Sequence, residues 1–297
     1  MSTTPPAGSP DAPIGVFDSG IGGLSVLRHV REQLPKEDLL YVADAGYAPY
    51  GPKTEAEIAA RTLAIADFLL ARGVKALVVA CNTATAAAVN ALRAQYPSLP
   101  VVGVEPGLKP AAAITRSKTV GVMATSRTLA SARFIQLQEQ ITAASGVRFL
   151  LQPCSGLADQ VDKGELASRE TAALVERYVA PLIAQSADTL VLGCTHYPFV
   201  LPLIEQSAGK QVTIIDTGEA VARQLARVLG ERGLLYTQRR DSALAAFSSG
   251  SVPALASAFH ALLGERIVVG AMETVIPNDE TVIPNEGEGS RTSLYQR

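Results

Sequence analysis

Two cysteines stand out by the residues just downstream of them. Ala76–Thr85 reads ALVVACNTAT, an apolar run ending in Cys81, Asn82 and Thr83. Thr189–Val200 reads TLVLGCTHYPFV, an apolar run ending in Gly193, Cys194, Thr195 and His196, with Pro198 shortly after. A thiol is a base or nucleophile only as thiolate, so it needs a neighbouring positive charge, a base or a helix N-terminus. Both cysteines have polar neighbours and a predicted helix start immediately downstream. A lone free cysteine is often just a small buried hydrophobe. Two of them in equivalent settings argue for chemistry instead. With one acid–base group on each face of a carbon, one can remove a proton while the other delivers one. Opposed thiols therefore suit inversion of a stereocentre, a reaction whose substrate and product are mirror images.

The elements that must position these groups follow from the hydrophobic pattern. Ala76–Ala80 and Thr189–Leu192 read as parallel strands buried on both faces, because their apolar runs do not alternate. Ile14–Phe17, Leu39–Ala43, Val101–Val104, Thr119–Met123, Arg148–Gln152 and Val212–Ile215 complete the strand list. Helical stretches lie between them, among them one opened by the capping box Thr54-Glu55-Ala56-Glu57. Gly15–Ser19 resembles Gly121–Thr125, Val102–Glu105 resembles Thr213–Asp216, and the two cysteine segments recur at nearly the same offset. A duplicated α/β unit is the simplest origin. The fold class expected is α/β: two pseudo-symmetric three-layer α/β/α units with mostly parallel sheets and the site between them, at the carboxyl ends of strands. The divisions read from the chain are a disordered tail over 1–12, a first α/β domain over 13–106 and a second over 107–218. A C-terminal helical segment over 219–270, packed back on the first domain, and a disordered tail over 271–297 follow. That last tail carries the near-repeat ETVIPN at Glu273–Asn278 and Glu280–Asn285.

Composition narrows the class. The chain has 297 residues, a formal net charge of −2, no Trp and 5% aromatics. Nothing argues for a basic surface, and few stacking platforms for bases remain, so nucleic acid is not an expected partner. Three cysteines, Cys81, Cys154 and Cys194, fit a reducing compartment better than a disulfide framework. The N-terminal MSTTPPAGSPDAP lacks the basic start and apolar core of a signal peptide, and Arg72 and Lys75 interrupt the best apolar run. A cytoplasmic protein with no membrane contact is expected.

Three other readings compete. Cys81, Cys154, Cys194 and His196 are ligands that zinc accepts, but the usual Cys-x-x-Cys spacing is missing. Gly20-Ile21-Gly22-Gly23 follows the first strand as a dinucleotide loop would, yet Ser25 stands where the third glycine belongs. A binding module on the same fold is the third, although it would have no need of both thiols. Cys154 itself reads as structural, and His29 and His260 as surface residues on helices.

The motifs as a set resemble those of the glutamate racemases in the aspartate/glutamate racemase superfamily. The matching residues are Phe17–Ser25 (FDSGIGGLS), Pro49-Tyr50-Gly51, Ala80–Ala84 (ACNTA), Gly103–Pro106 (GVEP), Gly193–Pro198 (GCTHYP) and Ile215-Asp216-Thr217. They occur in the expected order and are specific only together. The resemblance implies racemisation of glutamate without cofactor or metal, supplying D-glutamate for peptidoglycan. By the same resemblance Cys81 would take the α-proton of D-glutamate with Asp18 assisting, and Cys194 that of L-glutamate with His196 assisting. Asp18, Ser19, Pro49, Tyr50, Gly51, Asn82, Thr83, Thr125, Thr195 and His196 would bind substrate through hydroxyl, amide and backbone groups. Taken singly, these are also ordinary turn and capping residues. Where the family often has a glutamate near the short helix after Cys154, this chain has Asp162, one methylene shorter, as an auxiliary group. The oligomeric state is open, a homodimer being one option.

Overall fold

The computed structural model describes residues 8–238 and 241–273. In chain order the first half runs β1 (Ile14–Asp18), α1 (Leu24–Gln33), β2 (Leu39–Ala43), α2 (Glu55–Leu70), β3 (Ala76–Val79), α3 (Asn82–Gln95), β4 (Val101–Gly103) and α4 (Leu108–Ile114). The second runs β5 (Thr119–Ala124), α5 (Ser126–Ala130), α6 (Ala132–Ser145), β6 (Arg148–Pro153), α7 (Leu157–Asp162), α8 (Arg169–Ala184) and β7 (Thr189–Gly193). A 3₁₀ turn (Tyr197–Val200), α9 (Leu201–Ala208) and β8 (Thr213–Ile215) complete it, before α10 (Gly218–Glu231), β9 (Leu244–Ser248), α11 (Val252–Leu263) and β10 (Val269–Ala271).

Two sheets result, and every strand pair in them is parallel. Their orders are β10-β9-β2-β1-β3-β4 and β6-β5-β7-β8. The runs β2-β1-β3-β4 and β6-β5-β7-β8 are the same topology, which is the internal repeat of the sequence expressed in space. Because side chains alternate along a strand, each sheet feeds two cores. Val16, Tyr41 and Val78 pack with α1, α10 and α11, while Phe17, Val42 and Val79 pack with α2 and α3. Likewise Met123, Leu190 and Leu192 face one side of the second sheet, and Val120, Val122 and Val191 the other. This is why the strands read as continuous apolar runs. The capping box forms as expected, with Thr54 and Glu57 exchanging hydrogen bonds at the start of α2.

The structure corrects three expectations. The 219–270 segment is not only helical, since Leu244–Ser248 and Val269–Ala271 are strands. The β9 sequence LAAFS has little strand propensity of its own; it is extended because β2 leaves an edge to pair with. Residues 8–12, expected to be disordered, form a turn. Ala12 is fully buried, and the Pro10 carbonyl accepts a 2.6 Å hydrogen bond from buried Lys75. Of the C-terminal tail, Met272 packs into the core behind β3; the ETVIPN repeat beyond Glu273 lies outside the described residues, as do residues 1–7.

Candidate active site

In each sheet the chain turns opposite ways from two adjacent central strands, β1 and β3 or β5 and β7. The crevice beyond their carboxyl ends is where an open α/β sheet binds ligands. Asp18 ends β1, Cys81 follows β3, Thr125 follows β5 and Cys194 follows β7. Between the four lies a cavity of about 350 Å³. From the first half Ser19, Pro49, Tyr50, Gly51, Cys81, Asn82 and Thr83 line it. From the second half Thr125, Asp162, Cys194, Thr195 and His196 line it. Cys154, Ser155 and Gly156 add a wall that the sequence motifs do not mark. Serine and glycine in a short turn carry no signal of a site, and nothing local could have distinguished them.

Cys81 is the N-cap of α3, and its Sγ accepts a hydrogen bond from Ala84 N at 3.5 Å. Ser19 Oγ lies 3.6 Å from the same sulfur. Burial, then the Asp18 carboxylate, push the Cys81 thiol well above its usual range, so it carries its proton at neutral pH. Asp18 is not on the cavity wall but directly behind it, fully buried. It accepts from Ser19 N at 2.7 Å, Gly23 N at 2.5 Å and Thr195 Oγ1 at 3.3 Å, so the second half also holds it. The Cys81 thiol is close enough to feel its charge. Burial still leaves its pKa raised.

Cys194 is placed differently from the sequence expectation. No α-helix starts at once behind it; a 3₁₀ turn does, and the sulfur's neighbour is His196 Nδ1 at 3.6 Å. The other ring nitrogen of His196 faces Asp162 Oδ1 at 3.1 Å. Burial alone would lower the histidine pKa, but the Asp162 carboxylate and the Cys194 sulfur override it and carry the imidazole well above its ordinary value. Asp162 is held in turn by Ile21 N, and its own pKa is lowered, His196 overriding burial. The shorter acid thus reaches the imidazole directly. Elsewhere Thr83 Oγ1 contacts Thr125 Oγ1 at 3.0 Å across the two halves. Asn82 is nearly buried, and neither its amide oxygen nor its nitrogen has a hydrogen-bond partner. Such orphaned groups are costly unless a ligand or water satisfies them. Tyr50 lines the cavity as expected, and its hydroxyl is given to Asp44.

The glycines of the first loop have a local purpose. A Cβ on Gly20 would collide with Asp162, one on Gly22 with the His196 ring, and one on Gly23 with Asp18 Cβ. The loop makes room for acid–base side chains, which the dinucleotide reading did not provide for. The His196–Asp162 coupling sets a pH-dependent stability. Asp162, with lowered pKa, contributes above about pH 3.9 and loses that contribution as pH falls; His196, with raised pKa, contributes fully below about pH 6.5 and loses it as pH rises through its folded value. Asp162→Asn should therefore lower Tm most between those limits, the gap to the parent closing in alkali. The His196 ring signals should titrate at lower pH in the variant; an unmoved titration would show that Asp162 does not set the charge of His196.

Comparison with known proteins decides the family. The Asp/Glu/Hydantoin racemase family matches residues 14–225. The glutamate racemase of Ectopseudomonas mendocina (strain ymp) is 53% identical over 258 residues, 87% of this chain and 97% of its own. The chain belongs to the glutamate racemase family. It is accordingly an amino-acid racemase, an isomerase. Two solved glutamate racemases align along nearly their whole length. That from Francisella tularensis subsp. tularensis SCHU S4, in complex with D-glutamate, has TM-score 0.78 and 27% identity and covers 90% of this chain and 98% of its own. The Escherichia coli glutamate racemase, in complex with L-glutamate and the activator UDP-MurNAc-ala, has TM-score 0.78 and 29% identity, with 89% and 99% covered. The α/β architecture with parallel sheets is thus the glutamate racemase fold. Among the described residues no helix is long and apolar enough to cross a membrane.

Proposed function

We propose that this glutamate racemase interconverts L- and D-glutamate by proton transfer between Cys81 and Cys194, one on each face of the α-carbon. The observation that carries the reading is that both sulfurs line one cavity between the two halves, each with its own acid–base partner. Relatives solved with each enantiomer support glutamate as substrate. An imidazolium at His196 supplies the positive charge that a Cys194 thiolate needs. The Cys81 thiol keeps its proton. In that state Cys194 removes the α-proton of L-glutamate, and the Cys81 thiol delivers its own proton to the opposite face, giving D-glutamate. Asp18, buried directly behind Cys81, assists that sulfur's proton transfer in either direction. Cys194 is then the thiol and Cys81 the thiolate, which is the state that accepts D-glutamate.

The carbanion formed on the way is stabilised by fixed donors rather than by water. Ser19, Asn82, Thr83, Thr125 and Thr195, with the backbone of Pro49-Tyr50-Gly51, hold the carboxylates and the ammonium. The unpaired Asn82 amide offers one donor and one acceptor edge to such a zwitterion. We assign the product to peptidoglycan synthesis in the cytoplasm, a setting that the three free cysteines suit. A chiral assay of protein dialysed against chelator, with no added cofactor, tests the reading. Glutamate of either hand should go to the racemate while aspartate turns over at least about 100-fold more slowly. Preference for aspartate, or dependence on a restored metal or cofactor, would overturn it.

A further inference from the structure

The loop between β2 and α2 supplies one wall of the cavity, Ala48 to Pro52. Loops are ordinarily the least fixed part of a fold, yet this one is tied from behind by a buried carboxylate. Asp44 has no exposed surface. Its Oδ2 accepts from Tyr50 OH at 2.5 Å and from Arg61 Nε at 3.1 Å. Its Oδ1 accepts from the second Arg61 nitrogen at 2.5 Å and from Ser249 Oγ at 2.6 Å. Arg61 also stacks on the Tyr47 ring, 3.6 Å from its centroid. Ser249 Oγ takes the Gly46 N–H at 3.1 Å, and Ser249 N donates to Ala43 O. A Cβ on Gly46 would strike the Ser249 carbonyl, so the two segments lie backbone against backbone. Ser249 follows β9, beyond the 14–225 stretch that carries the family match.

We propose that Asp44, Arg61 and Ser249 are positioning residues that hold the Pro49–Tyr50–Gly51 wall at the distance substrate requires. In this way the strand added after the duplicated halves takes part in binding. None of the three touches the reacting atoms. Tyr50 is the link, since it lines the cavity while its hydroxyl is committed to Asp44. Burial and the Asp44 carboxylate push the Tyr50 pKa far up, so the phenol remains a donor throughout the working range. The inference rests on the reading that glutamate occupies this cavity.

Ser249→Ala and Tyr50→Phe are the test. Each removes one hydrogen bond to Asp44, Ser249→Ala also the acceptor of the Gly46 N–H, and both leave the Arg61 pair intact. Asp44→Asn is avoided because it would strand a buried cation. Each variant should raise KM for both enantiomers about 5- to 10-fold, the worth of one hydrogen bond, with kcat within about a factor of two. Ser249→Thr, which keeps the hydroxyl, should restore the parent KM. The double variant should fall short of the product of the single effects, because both act through one carboxylate. Unchanged KM in both single variants, or a loss confined to kcat, overturns the proposal. Should those variants keep the parent KM while Cys81→Ser abolishes turnover, the positioning unit falls and the cavity stands. An active Cys81→Ser enzyme would remove the cavity reading itself.

Discussion

Cys81→Ser and Cys194→Ser should each lower kcat for glutamate by at least about 10³-fold, near the upper range of what a positioned acid–base group contributes. Neither change should disturb the fold. Serine is close in shape to cysteine, and at position 81 its hydroxyl can still accept from Ala84 N as the α3 cap. A hydroxyl is far too weak an acid to serve as the resting base, which is why the loss falls on the chemical step. Tm within about 2 °C of the parent would correspond to a change of about 1 kcal/mol in a chain of this length. The two enantiomers have equal free energy in solution, so kcat/KM must fall equally in both directions whatever the variant. That ratio therefore cannot tell the two bases apart. Hydrogen exchange can. In deuterated water Cys81→Ser retains Cys194 and should exchange the α-hydrogen of L-glutamate only, while Cys194→Ser should exchange that of D-glutamate only. Proton NMR of each pure enantiomer reads this directly. Exchange of the same enantiomer by both variants, or near-parent turnover by either, would end the opposed-base assignment.

Much of this site was legible because parallel strands buried on both faces write unbroken apolar runs, and polar residues at the end of such a run have nowhere to be but the crevice. ALVVACNT and TLVLGCTH both follow that rule, and the cavity contains both cysteines, Asn82, Thr83, Thr195 and His196. The duplication was legible for the same reason, since each half repeats its strand pattern, although the order of strands in each sheet was not. What could not be read was which distant segments meet. Ser249 and Asp44 are 205 positions apart and share a 2.6 Å hydrogen bond; no local pattern announces a serine after a weak strand as a partner of a loop carboxylate. Strand β9 itself was hidden, because small residues extend only when an edge awaits them. The Cys154–Gly156 wall was silent because a serine and a glycine in a short turn carry no distinctive chemistry. Tyr50 carries a part that no local pattern shows. Its place in the cavity was expected, but its hydroxyl serves the scaffold.

Gly22→Ala should cost about 10²-fold in kcat, although it adds a single methyl group and touches neither cysteine. The backbone there needs no left-handed conformation, since Gly22 is absent from the positive-φ glycines; the requirement is space. The new Cβ would overlap the His196 ring, and that ring has no free end to swing away. It is pinned by Cys194 on one nitrogen and Asp162 on the other. Displacing it separates the imidazolium from the Cys194 sulfur and weakens the charge that a thiolate there depends on. Gly230→Ala is the matched control, because its Cβ would meet only Leu235 at an ordinary 3.5 Å; it should leave kcat unchanged. The decisive measurement is the double variant. If Gly22 acts through His196, then adding Gly22→Ala to His196→Asn should change kcat little beyond the loss that His196→Asn already causes. Fully multiplicative losses would mean that the methyl group harms the site by some other route, such as a shifted Asp18 loop, and room for the imidazole would not be why position 22 is glycine.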